Sequence, residues 1–157
     1  MKFIFSKDIR DNKPFKVILS GYLLLSLCFY VFMFYLEKVN IGLIPRNIKN
    51  KILGNEELFI QAMSMQDLVL QNHIKLFLYL FSSLVLLVIF IRTKATDKQK
   101  IEASIFIFLI LFIDVLASFF ILVHPAFSVL KTLSFIMLQA VSVAICCYNI
   151  KFLLKRG

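Results

Sequence analysis

The stretch SIFIFLILFIDVLASFFILV, residues 104–123, decides the fold of this chain. It is twenty residues long and apolar except for small polar side chains and one carboxylate, Asp114, near its middle. A helix of this length, which rises about 1.5 Å per residue, crosses a hydrocarbon core of about 30 Å. A carboxylate at the centre of such a helix costs roughly 2.5–3.5 kcal/mol on insertion scales. We therefore expect Asp114 to have polar partners on neighbouring helices.

The composition also indicates a membrane protein. Of the 157 residues, 61% are hydrophobic, whereas a soluble domain is about 45–50% apolar. The net charge of +9 would suggest nucleic acid as a partner of a soluble protein. Here the Lys and Arg residues lie beside apolar runs, where they act as topology signals. We expect a single integral membrane domain over residues 1–157 and no nucleic-acid partner.

Three further apolar runs, at residues 17–36, 74–91 and 127–150, resemble residues 104–123 in length. Together they predict an all-α fold, an up-down bundle of four transmembrane helices. The first run is too long for a signal peptide and has no cleavage site after it, so we expect an uncleaved first transmembrane helix. The loop at 37–72 contains a short amphipathic segment, residues 45–53. This segment predicts a helix that lies either on the membrane interface or on the end of the bundle.

The positions of Lys and Arg predict the orientation. Twelve of them lie on the side of the two termini and the 92–100 loop, and six lie on the side of the long loop. This bias predicts that both termini are cytoplasmic. The chain has no Trp, few Pro, and abundant Lys, Ile, Asn and Phe, which is typical of an AT-rich bacterial genome. We therefore expect a bacterial inner membrane.

Each predicted span carries polar side chains near its centre, which predicts one polar layer at mid-membrane. The layer consists of Ser26 in the first span, Ser82 and Ser83 in the second, Asp114 and Ser118 in the third, and Gln139 in the fourth. The fourth span extends this pattern with a seam spaced alternately four and three residues, formed by Ser128, Thr132, Phe135, Gln139, Ser142, Cys146 and Asn149. Polar side chains in lipid pair across helix interfaces, so Asp114 is expected to bond Gln139 and a serine.

Two hypotheses cover the role of this layer. In the first, it only sets the packing of the four helices. In the second, Asp114 is a proton- or ion-binding group in a transport or coupling path. Two features weigh against the second hypothesis: no basic residue is expected at mid-membrane, and no span is broken by Gly or Pro, as transporter sites often are.

The two histidines, His73 and His124, lie at the loop-side ends of the second and third spans. Imidazoles at matched depth on neighbouring helices can ligate a b-type haem or a metal. Amphipathic side chains also collect at membrane interfaces without binding anything. The helical spacing places each histidine on a different side of its helix from the polar face, which weakens the haem hypothesis.

The residues form no catalytic constellation, since zinc, phosphate-loop and nucleophile motifs are missing from the sequence. Our leading interpretation is a non-catalytic membrane protein, an accessory, assembly or interaction subunit. Its expected partners are the lipid bilayer and other membrane proteins or a second copy of the chain. The alternatives are an ion-coupled transport component that uses Asp114 and a haem redox module that uses the two histidines.

Overall fold

The structure, a computed structural model, describes residues 12–154. Its elements in chain order are α1 (Lys13–Asn40), α2 (Pro45–Leu53), a 3-10 helix (Glu56–Leu58), α3 (Met65–Ile91), α4 (Asp97–Phe120) and α5 (Phe127–Leu154). These residues form no strand beyond an isolated bridge between Asn55 and Ile60. The basic residues within 1–11 and at the end of the chain, which contribute to the predicted orientation, lie outside the described residues.

Four helices, α1, α3, α4 and α5, are long and apolar enough to cross a membrane. The mean hydropathy of their most apolar windows is 2.2, 2.6, 2.6 and 1.9 in chain order. The predicted all-α fold with four transmembrane helices is therefore confirmed. The low value belongs to α5, the helix for which the sequence predicts a polar seam.

Three of the four long helices, α1, α3 and α4, begin at side chains that cap them. The carboxamide of Asn12 accepts from the backbone of α1, the Ser64 hydroxyl accepts from Asp67 N at the start of α3, and Thr96 forms a capping box with Gln99 at the start of α4. Such caps satisfy backbone N–H groups that have no partner within the helix. Helices α1, α3 and α4 start several residues before their apolar runs, whereas α5 starts at Phe127, the first residue of its run.

Helix α4 ends at Phe120, before the end of the apolar run at Val123. The chain turns there, with Leu122 N bonded to Phe119 O and Val123 N bonded to Phe120 O. Pro125 follows shortly after, and a proline disfavours helix at the residue before it. Asp114 therefore lies six residues from the end of α4 and not at its centre.

Helix α5 is the central helix of the bundle, since it contacts each of the other four α-helices. Its seam faces inward: six of the seven predicted positions are buried, and the seventh, Thr132, is half-buried. Lys131, Ser134 and Leu138 share this buried surface. Apolar side chains on the outer faces of the bundle, such as Phe32, Phe77 and Phe112, are exposed, as expected for surfaces that meet lipid.

Helix α2 packs onto the end of the bundle. Its Ile48 and Ile52 are 2% and 1% exposed, and they form an apolar cluster with Ile41, Leu68 and Ile121. Lys49 and Lys51 face away and are exposed. This packing is that of a helix that caps the bundle, one of the two alternatives for this segment, and its position at the membrane interface stays a prediction.

Candidate functional site

The carboxylate of Asp114 is fully buried and has three side-chain partners. Lys75 Nζ and Lys131 Nζ each lie 2.8 Å from Asp114 Oδ2. The Ser134 hydroxyl donates to Asp114 Oδ1 at 3.2 Å, and Lys131 also donates to the Asp114 backbone oxygen at 3.1 Å. The expectation of polar partners for Asp114 on neighbouring helices is met mainly by lysines.

A second carboxylate, Glu37, completes the group. Lys75 donates to Glu37 Oε1 at 2.9 Å, and Lys131 Nζ lies 3.8 Å from the same oxygen. We call Glu37, Lys75, Asp114 and Lys131 the ion cluster. Each member comes from a different span, each is at most 8% exposed, and two acids face two bases. The Lys75 ammonium also lies 4.4 Å from the centroid of the Phe135 ring, a cation–π distance.

The ion cluster lies nearer the loop side of the bundle than its middle. Asp114 is six residues from the end of α4, about 9 Å at the helical rise. Lys131 is four residues after the start of α5, and Glu37 is three before the end of α1. The prediction of one polar layer at a common depth was therefore wrong, because Asp114 belongs to a set near the loop.

Gln139 belongs to a deeper network that excludes Asp114. Its amide donates to the Tyr79 hydroxyl at 2.6 Å and to the Tyr30 backbone oxygen at 3.3 Å. The Tyr30 hydroxyl bonds Ser82 Oγ at 3.0 Å. The predicted contact between Asp114 and Gln139 is wrong, because the two side chains use different partners at different depths.

The remaining polar residues predicted for the layer, Ser26, Ser83 and Ser118, are also buried. Ser26 and Ser118 donate to backbone oxygens of their own helices, those of Tyr22 and Asp114. Ser83 Oγ has no hydrogen-bond partner among residues 12–154, and Ser142 Oγ has none there either. These serines are small polar side chains at helix interfaces, and among the described residues they make no hydrogen bond to the charged groups of the ion cluster.

Sequence reasoning missed the two lysines and Glu37 because their positions suggested helix ends. The spacing carried a usable signal. Lys131 comes three residues after Ser128 and four before Phe135, so it shares a helix face with these two seam residues. Lys75 comes four residues before Tyr79 on the buried face of α3. A long lysine side chain can reach a partner more than one turn away.

A cavity of about 160 Å³ borders the ion cluster between α1 and α3. Glu37 and Lys75 line it together with Asn40, Gln71 and Asn72. The other lining residues are apolar: Met33, Leu36, Ile41, Ile74 and Leu78. Two members of the ion cluster therefore border a space large enough for several water molecules, at about 30 Å³ each.

Both histidines are exposed. The predicted position at a helix end is wrong for His73, which lies eight residues after the start of α3 because that helix begins at Met65. His73 lines a surface groove with residues of α3. His124 is in the turn after α4, and its Nδ1 accepts from Ala126 N at 3.2 Å. Within residues 12–154, no group of three or more His, Cys, Asp and Glu residues could hold a metal ion. Haem ligation by this pair stays a prediction, which a visible spectrum before and after reduction would test.

Comparison with curated proteins and with solved structures gives no match. A family of transmembrane helical domains, Aq_1264_TM, matches residues 42–157. The match contains Lys75, Asp114 and Lys131, whereas α1 with Glu37 precedes it. Since the match covers more than half of the chain, this protein belongs to the Aq_1264_TM family of transmembrane helical domains.

Proposed function

We propose that the ion cluster is a proton-binding centre and that the protein is a non-enzymatic, proton-coupled membrane component. The observation that carries this proposal is the contact of four buried ionisable side chains, one from each span, beside a cavity lined by two of them. Ionisable groups inside membrane spans commonly mark proton and ion pathways. The absence of a basic partner for Asp114 was expected to weigh against this function, but Lys75 and Lys131 both contact it.

The arrangement suits a proton that arrives from the cavity. Glu37 is the member at the edge of the cluster, 8% exposed, whereas Asp114 is fully buried. A proton on Glu37 would weaken its pair with Lys75, which keeps Asp114 as a partner at 2.8 Å. The cluster would then carry one excess positive charge in a medium of low dielectric, which favours passing a proton on. Farther from the loop side than the ion cluster, the hydrogen-bonded network of Tyr79, Gln139, Tyr30 and Ser82 extends the polar interior of the bundle.

Proton flux through reconstituted protein tests this proposal. We expect liposomes with the wild-type protein to dissipate an imposed pH gradient faster than empty liposomes, with a trapped pH-sensitive dye as the readout. Glu37→Gln should slow the protein-dependent rate at least about tenfold, since it removes the group that meets the cavity, and general acid–base groups contribute about 100-fold or more.

Glu57→Gln is the matched control, because Glu57 is an exposed carboxylate in the loop, away from the ion cluster. It should leave the rate unchanged. A wild-type rate equal to that of empty liposomes, or a Glu37→Gln rate equal to the wild-type rate, would contradict the proposal.

The second candidate function is a non-catalytic accessory or assembly subunit, in which the ion cluster only holds the helices together. The balance of two acids and two bases across all four spans favours it, because such a set ties α1, α3, α4 and α5 to one another. This candidate predicts that cluster variants change stability or association with other membrane proteins and leave proton flux unaffected. The flux experiment therefore separates the two functions.

The bias of Lys and Arg toward the two termini and the 92–100 loop supports a further part of the proposal. Both termini would face the cytoplasm of a bacterium, and the cavity beside Glu37 would face the opposite side of its inner membrane.

A further inference from the structure

The loop between α2 and α3 forms a hydrogen-bonded turn that exposes two apolar side chains. Asn55 and Ile60 exchange both backbone hydrogen bonds, at 2.8 and 2.9 Å, and the Asn55 side chain accepts from Leu58 N at 3.1 Å. Phe59 is at φ 53°, and Phe59 is 98% exposed and Leu58 52% exposed. We call Leu58 and Phe59 the loop tip.

The left-handed backbone of Phe59 is unfavourable for a residue with a bulky side chain. Gly or Asn would fit the same turn with less strain. Among residues 12–154, neither burial nor side-chain packing compensates for the strain, since the ring is almost fully exposed. Strained residues of this kind often mark sites of function, and an exposed aromatic anchor is typical of a binding surface.

The same side of the molecule carries a groove that this tip could fill. The groove has a volume of about 450 Å³ and is lined by Met65, Gln66, Val69, Leu70 and His73 of α3. Met65, Val69 and Leu70 are 48–59% exposed. They precede the apolar run that starts at residue 74, in a segment that contains Gln66, Asp67, Gln71 and Asn72. Hydrocarbon is therefore not expected to cover the groove along its length of up to about 13 Å.

We propose that the loop tip of one copy of this chain inserts into the α3 groove of a second copy. Both features lie at the loop side of the chain, so a two-fold axis would let the two copies exchange tips. Charge also favours this occupant. The tip follows the exposed acids Glu56 and Glu57, whereas α2 exposes Arg46, Lys49 and Lys51 on the same side. Two inserted phenylalanines would bury on the order of 300–500 Å² of aromatic side chain.

Site-directed crosslinking tests the contact. Phe59→Cys and Val69→Cys would be placed in separate copies, with the exposed Cys28 and Cys147 changed to Ser and the buried Cys146 kept. We expect mild oxidation in membranes to give a crosslinked dimer that contains one copy of each variant. Phe59→Cys paired with Ile101→Cys, an exposed position at the far end of α4, is the matched control. Crosslinking no greater than that of the control would overturn the proposal.

A second measurement removes the anchor without disturbing the fold. Phe59→Gly fits the observed φ, so the monomer should become at least as resistant to thermal unfolding as the wild type. Light scattering in mild detergent should show at least a tenfold loss of dimer affinity for this variant. A monomeric wild-type protein, or a variant that dimerises as well as the wild type, would overturn the proposal. Neither result bears on proton flux, so this inference stands or falls separately from the proposed function.

Discussion

Asp114→Asn is expected to lower the free energy of unfolding by about 3–5 kcal/mol, the usual cost of removing one partner from a buried ion pair. The substitution keeps the size of the side chain and removes its charge. Lys75 and Lys131, at most 5% exposed, would then share Glu37 as their remaining acidic partner in the cluster. One positive charge would stay buried without compensation, and this charge is the physical source of the expected loss.

The double variant Asp114→Asn/Lys131→Met provides the sharpest test of this explanation. It removes one acid and one base and leaves the Glu37–Lys75 pair at 2.9 Å intact. Because removing both charges leaves no buried charge without an opposite partner, we expect it to regain more than half of the lost stability. Thermal unfolding in mild detergent, followed by circular dichroism, would measure both variants.

Glu102→Gln is the control for the charge change on the same helix. Glu102 is 63% exposed in its side chain and lies 3.8 Å from Lys98, a surface pair worth at most about 1 kcal/mol. If Asp114→Asn destabilised the protein no more than this control does, the ion cluster would not hold the bundle together.

Ile52→Asp is expected to release α2 from the bundle. Ile52 is 1% exposed in the apolar cluster that joins α2 to α3 and to the end of α4. Losing its buried aliphatic side chain costs about 2–5 kcal/mol, and burying a new carboxylate there would cost more. The helix should therefore lift away while the four spans stay assembled. Amide hydrogen exchange over Pro45–Leu53 should rise at least about tenfold, because exchange reports local opening.

Lys51→Asp introduces the same side chain at the neighbouring position, which is exposed. It should leave exchange in α2 close to that of the wild type. Equal exchange in Ile52→Asp and Lys51→Asp would mean that the buried face of α2 does not fix it to the bundle.

The length of the four apolar runs was enough to predict the spans, and the spacing of apolar residues in α2 was enough to predict its buried face. The ion cluster was not predicted, for a physical reason. Depth was judged from the limits of apolar runs, which placed Lys75 and Lys131 at helix ends, yet α3 begins at Met65, ten residues before Lys75. The centre of the third run was likewise taken as the centre of a helix. Since α4 begins at Asp97 and ends at Phe120, Asp114 lies nearer the loop than expected and farther from Gln139.

The charges of the ion cluster are distributed so that each pair of consecutive spans carries one acid and one base. The pair of α1 and α3 carries Glu37 and Lys75, in contact at 2.9 Å, and the pair of α4 and α5 carries Asp114 and Lys131, in contact at 2.8 Å. A lone span would bring an uncompensated charge into the hydrocarbon. During biosynthesis, a translocon that releases helices two at a time would therefore never expose an unpaired member of this cluster to lipid. The contacts of Lys75 with Asp114 and of Lys131 with Glu37 would form last, when the two halves meet.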